Sequence, residues 1–203
     1  MVDFKYFADY ERLAGLDAVQ KECSICREQK NCFCGALYGT ERTDRVCVDC
    51  LTGDRLAGRD IMTNCGNRVE LVEQLSLLNP SASEDERTRL ADLRSNELEK
   101  RTPHLITWQD MDWPCLDGDY AQFIGYGSKP MFASLDSGGD GRAALQRHIH
   151  PELYHTVDDG FWIEMVPDKI IKDYSDTEQY SALIYVFRSV VNRSNYLILW
   201  DCN

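Results

Sequence analysis

Six of the nine cysteines fall between positions 23 and 50. Cys23 and Cys26 form one CxxC pair and Cys47 and Cys50 a second, with twenty residues between the pairs. Thiols placed like this could be disulfide partners, a redox couple or metal ligands. The cysteine count is odd, and the start MVDFKYFADYERL has no basic region followed by an apolar run. Both features argue against the disulfide framework of a secreted protein. The spacing is that of a zinc ribbon. Two residues between ligands allow a tight turn to aim both thiolates at one ion, and two such turns complete a tetrahedron with Zn–S distances of ~2.3 Å. We therefore expect one zinc ion on Cys23, Cys26, Cys47 and Cys50. Four protein sulfurs leave no position for water or substrate, so the expected role is structural. A thioredoxin-like role would need a CxxC at a strand-to-helix junction in a βαβ unit, and neither pair shows that setting in the sequence. Cys32 and Cys34 lie too close together for the usual knuckle and read as ordinary thiols.

Two other constellations could do chemistry. His148, His150 and His155 in HIHPELYH could chelate a second metal, but without a matched carboxylate they read as surface residues. Asp110, Asp112, Asp117 and Asp119 gather around Trp113, either as a cation or catalytic site or as a solvated acidic loop beside a buried tryptophan. The second is the blander and favoured reading. No HExxH, GxSxG, P-loop or GxGxxG occurs, so no catalytic residue is assigned and no enzyme is expected.

The elements that must position these residues are α+β in type. Between the two cysteine pairs, FCGALYGTERTDRV offers strand formers broken by Gly35 and Gly39, which suits a small ribbon hairpin. Val69, Val72, Leu75 and Leu78 have helical spacing, ended by Asn79-Pro80. Ser83 and Glu86 have capping-box spacing ahead of a second helix with Leu90 and Leu93 on its apolar face, stopped before Pro103. AQFIGYG reads as a short strand, SLDSGGDGRAAL as a flexible glycine-rich loop, and YSALIYVFRSVVNRSNYLILWDCN as a hairpin turning near 192–195. The expected organisation is a zinc-ribbon-like module over 1–66 packed on a mixed helix and antiparallel-strand domain over 67–203, with a C-terminal β-hairpin.

With 22 Lys plus Arg against 34 Asp plus Glu the formal charge is −12. Such a field repels phosphate backbones, so direct nucleic-acid binding is not expected, whereas it speeds encounter with a basic protein. No run of eighteen apolar residues occurs, so neither a membrane span nor a membrane partner is expected, and the location expected is the cytoplasm.

The blocks CSIC, CVDCLTGDRLA, RTPHLITWQDMDWPCLDGDYAQFIGY and YVFRS, in this order, resemble the CbrC family of bacterial proteins associated with colicin tolerance. The family's first pair of knuckles maps onto Cys23, Cys26, Cys47 and Cys50. Its second cysteine cluster maps onto Asp117, Ala121, Ser189 and Asn192, so all four of those thiols are lost here together. If the family's second cluster is a former zinc site, these four positions are expected to be neighbours in space, with no ion between them. The resemblance implies an immunity or tolerance protein that neutralises a bactericidal protein toxin, such as a basic nuclease domain. The alternatives are a zinc-containing regulator or adaptor giving tolerance indirectly, and an enzyme of unrecognised type.

Overall fold

The computed structural model describes residues 3–35, 37–41 and 43–202; Ala36 and Arg42, inside the stretch expected to form the ribbon hairpin, lie outside them. Helix α1 (Tyr10–Leu13) follows an irregular N-terminal segment with an isolated bridge at Phe7. Strands β1 (Lys21–Glu22) and β2 (Gln29–Lys30) pair antiparallel, β3 (Cys32–Cys34) pairs with β5 (Arg45–Cys47), and β4 (Tyr38–Gly39) pairs with β6 (Ile61–Met62). Helix α2 (Val48–Thr52) leaves directly from the end of β5. The β4–β6 pairing depends on Gly39, at φ +130°, because a Cβ there would lie 2.0 Å from the Asp60 carbonyl oxygen. No side chain fits that approach.

The two expected helices follow as α3 (Arg68–Leu78) and α4 (Glu84–Arg101). The capping box forms: Glu86 N donates to Ser83 Oγ at 3.2 Å, and Ser83 N donates to the Glu86 carboxylate at 2.8 Å. The apolar faces differ from those expected. Val69 and Leu78 are 69% and 62% exposed, and the buried positions of α3 are Leu71 and Leu75. In α4 the buried positions are Ala91, Ser95 and Leu98, while Leu90 and Leu93 face outward. The reason is a polar contact in the buried seam: Ser95 Oγ meets Tyr120 Oη at 3.0 Å, both groups being buried. A face that includes a satisfied serine carries little of the apolar period by which such a face is recognised.

Strands β7 (Cys115–Leu116) and β8 (Asp119–Tyr120) are joined by Asp117-Gly118, at φ +57° and +79°. Positive φ at both positions is what a two-residue type I′ turn requires. Strand β9 (Gln122–Tyr126) is next. The glycine-rich stretch expected to be a flexible loop is instead the meeting of helices α5 (Lys129–Leu135) and α6 (Gly141–His148). Asp140 accepts from Ala143 N at 3.0 Å and caps α6, while Asp136 accepts from Gly138 N and from Arg147. The glycines shape a short turn between two capped helix ends.

Strands β10 (Ala182–Arg188) and β11 (Tyr196–Cys202) are the expected hairpin, and with β9 they form a three-stranded antiparallel sheet in the order β11-β10-β9. Central β10 is covered on both faces. Leu183, Tyr185 and Phe187 join a core that also contains Cys23, Phe33, Cys47, Leu71 and Trp113, whereas Ile184 and Val186 meet Phe132, Leu145 and Ile149 beneath α5 and α6. Residues on both sides of position 66 thus share one core. The sheet's outer edges are also occupied. Phe7 bridges to Phe123, with Ala8 N donating to Phe123 O at 2.9 Å, and Ile149 bridges to Ile198 on the other edge. Covered edges do not invite pairing with other chains.

The N-terminal segment is further tied by Asp119. This carboxylate is nearly fully buried and accepts from Tyr6 Oη at 2.7 Å, Lys5 Nζ at 2.9 Å and its neighbour Tyr120 N at 2.9 Å, and it pairs with Arg94 at 3.3 Å. It is not part of a solvated acidic loop. Asp119→Ala removes the anion from a set of groups that converge on it, and we expect a loss of ~3–5 kcal/mol in chemical denaturation, with Asp119→Asn costing less. His104 gives a pH prediction. Burial holds its imidazole below the ordinary value of 6.5, against the opposing effect of its bond to Thr63 O at 2.7 Å. The folded chain keeps the ring neutral, so its contribution is complete above the unfolded value and is lost as pH falls below it, where the unfolded chain binds the extra proton. The thermal midpoint is expected to drop between about pH 7.5 and about pH 5.5, and His104→Gln to flatten that slope.

Candidate metal centre

The first cysteine pair sits in the turn between β1 and β2. Cys23 N donates to Glu28 O at 2.9 Å and Arg27 N to Cys23 O at 2.9 Å, with Arg27 in the left-handed region at φ +63°. This tight turn brings both sulfurs to one side. The second pair is built differently. Cys47 ends β5 and is the N-cap of α2, so Cys50 lies in the first helical turn. The second pair thus sits at a strand-to-helix junction, but not within the βαβ unit that a redox role would need. The junction does not make a thioredoxin-like unit, because the strand partner is antiparallel β3 rather than a parallel strand reached through the helix. Two bonds from backbone N–H groups join the halves: Ser24 N donates to Arg45 O at 3.0 Å, and Cys47 N to Cys23 Sγ at 3.4 Å.

The four sulfurs converge within 4.8 Å of one another. Cys23 and Cys50 are 3.8 Å apart and Cys26 and Cys47 are 3.9 Å apart. A tetrahedron with ligands at ~2.3 Å from the ion has edges of ~3.8 Å, so the spacing fits a four-coordinate metal. It is far longer than a disulfide, and the cysteines are free thiols. Cys23, Cys47 and Cys50 are buried and Cys26 half-buried.

Electrostatics favour a cation at the centre. Burial opposes ionisation of Cys23, yet N–H groups of Cys26, Cys47 and Ile25 outweigh it and bring the thiol down to about 7. Burial pushes Cys50 and Cys47 the other way, and the Cys23 sulfur adds to the push on both. Thiolates this close repel, and a divalent cation is the group that lets all four ionise together. The set can hold a metal ion with four protein ligands, leaving no open position.

The remaining candidates lie elsewhere. Cys32 is fully buried, with Sγ 3.4 Å from Lys30 O, and burial raises its thiol to about 12. Cys34 donates to Gly15 O at 2.9 Å. His148 packs on Tyr196 at the end of α6, His150 accepts from Glu152 N at 3.3 Å, and His155 is exposed. Among the described residues no metal-ligating set other than the four cysteines converges. Trp113 is buried as expected, its Nε1 donating to Ala121 O at 2.7 Å.

The segments carrying Asp117, Ala121, Ser189 and Asn192, the positions onto which the resemblance maps a second cysteine cluster, are adjacent. Asn195 Nδ2 donates to both oxygens of Asp117, at 3.0 and 2.9 Å, and Ser189 N donates to Asn195 O at 2.9 Å. Ser189 Oγ accepts from Val191 N and Asn192 N, closing the turn with side-chain bonds. Ala121 and Ser189, both buried to 0% exposure, flank the last pair of the β9–β10 ladder, Gln122 with Arg188.

Sequence reasoning missed a cleft of about 700 Å³ in which Asp110 and Asp112 are joined by Glu70, Glu73 and Glu152 around Leu153 and Trp200. Glu70 and Glu73 are three residues apart on α3, which was the available signal. Burial raises the Glu70 carboxyl, and the bond from Gln74 only partly offsets this.

Neither curated proteins nor solved structures yield a match to this chain. A family model does match, over residues 1–202, and on that match the chain belongs to the uncharacterised protein family UPF0167.

Proposed function

We propose that the chain is a non-enzymatic, zinc-stabilised binding protein that meets a basic protein partner through its acidic face, and that the partner is a bactericidal toxin domain which it neutralises. The acidic cleft carries this reading. Glu70, Glu73, Asp110, Asp112 and Glu152 crowd one concavity whose floor includes Leu153 and Trp200, a suitable setting for cationic side chains with apolar stems. The charge of −12 supports fast, steered encounter with such a partner. The resemblance to the CbrC family supplies the tolerance role. Zinc is favoured over other ions because an all-thiolate tetrahedral set suits it and a structural role needs no redox change. The chain has no helix long and apolar enough to cross a membrane among the described residues.

Two predictions follow from this reading. Elemental analysis of the purified protein should find ~1 zinc per chain, and Cys23→Ser should lose the ion together with several kcal/mol of stability. That loss is bounded by the ~10–16 kcal/mol of small zinc modules, because much of the core here lies outside the centre. Protein that folds fully with no bound metal would overturn the assignment. For function, reversing Glu73 and Asp112 to lysine should slow association with a basic toxin domain by about tenfold at ~0.01 M salt and far less at ~0.15 M, as the Debye length shortens from ~30 Å to ~8 Å. Co-expression that rescues cells from no toxin, with zinc loading intact, would replace the neutralising role with that of an adaptor.

A further inference from the structure

A second cavity, of about 740 Å³, opens between the N-terminal segment that lies along β9 and the end of the sheet where β10 turns toward β11. Half of the charged residues on its lining are already matched. Asp9 has Arg12, Glu97 has Arg101, and Asp119 has Lys5 and Arg94. Arg188 and Arg193 also line the cavity, and among the described residues neither joins an ion pair. In a chain with 34 acidic and 22 basic residues, two cations left over side by side need an explanation.

Both guanidiniums turn to the same neutral acceptor. Arg188 Nη2 donates to Gln122 Oε1 at 3.1 Å and Arg193 Nη1 to that same oxygen at 2.9 Å. Sharing one amide oxygen holds two like charges close together without neutralising either. Arg188 Nε, moreover, is buried and has no acceptor among the described residues. An arginine cannot shed its proton to relieve this, and a buried donor without a partner is destabilising. What satisfies two forks of N–H donors at once is an oxyanion with two or more oxygens. Phe4, Phe7, Val190 and Val191 supply an apolar wall to the same cavity. Asp3 and Glu11, on its lining and in no ion pair among the described residues, work against a dianion and leave a singly charged group as the better fit.

We propose that this cavity binds a carboxylate carried on an apolar body, with Arg188 and Arg193 holding the carboxylate and Phe4 and Val190 packing against the remainder. The carboxylate could belong to a small organic acid or to the C-terminal residue of a peptide; the recognition chemistry is the same. The site stands apart from the acidic cleft and does not depend on the basic-partner reading.

The test uses the full-length, metal-loaded protein and three probes: 3-phenylpropionate, the dipeptide N-acetyl-Ala-Phe and inorganic phosphate. Titration is followed through the arginine Nε–Hε resonances, which report on the guanidiniums themselves. The expected result is a saturable shift of the Arg188 and Arg193 signals by one or both carboxylates, weakened about tenfold or more by Arg193→Gln. Preference for the dipeptide assigns a chain end, and preference for phenylpropionate assigns a small acid. Arg188→Gln should act in the same direction, and if it fails to fold, Arg193→Gln in the exposed turn carries the test alone. No saturable shift at about 10 mM probe, affinity unchanged in Arg193→Gln, or phosphate bound in preference to both carboxylates would each overturn the proposal.

Discussion

Four sulfur atoms within 4.8 Å of one another are the constraint on which the N-terminal third of the protein rests. Strands β1 to β6 are two or three residues long, and pairs this short do not hold together in water by their ladders alone. Something must join the β1–β2 turn to the β5–α2 junction. The thiol set does so at the point where the two approach, and the hydrogen bond from Cys47 N to Cys23 Sγ already orients one half on the other. Around the sulfurs, Phe33, Val46 and Leu51 connect the centre to the aromatic contacts of Phe4 and Tyr10 and from there to the sheet. The cysteine centre is therefore the corner of a larger core and not an appended finger.

Beyond that corner the structure depends on β10. A strand apolar on both faces can be central only if both faces are covered, and the two covers come from different parts of the chain. The helix pair α5–α6 supplies one. The other comes from the N-terminal aromatics together with Trp113. The uninterrupted run ALIYVF in β10 is the sequence expression of this double burial.

Features read from fixed spacing were legible in the sequence. The two CxxC pairs, the Ser83–Glu86 box and the C-terminal hairpin each have a local geometry that a few residues specify, and each formed. Features set by distant partners were not. Ser95 is buried because Tyr120 waits for its hydroxyl, and Asp119 is buried because Lys5, Tyr6 and Arg94 meet it, contacts that cross 25 to 114 residues of chain. The turn between α5 and α6 misled for another reason: its glycines look like flexibility, while Asp136 and Asp140 supply the bonds that remove it. Asp117-Gly118 was a readable hairpin signal that the surrounding aspartates obscured. Family membership adds no chemistry to the cysteine site, since the family is itself uncharacterised.

The bridge between Phe7 and Phe123 has a consequence for how the chain comes to be made. Synthesis delivers the N-terminus first, so Phe4, Tyr6, Phe7 and Tyr10 leave the ribosome long before β9, the strand edge that receives them. The cysteine pairs, complete by residue 50, can close on an ion in the interval. Until β9 is made, that aromatic segment has no strand edge to receive it, the kind of exposed segment that attracts chaperones or a neighbouring copy of itself. Early convergence of the four thiols would limit that exposure, because it gives Phe4 and Tyr10 a place beside Phe33 while the rest of the chain is still being added.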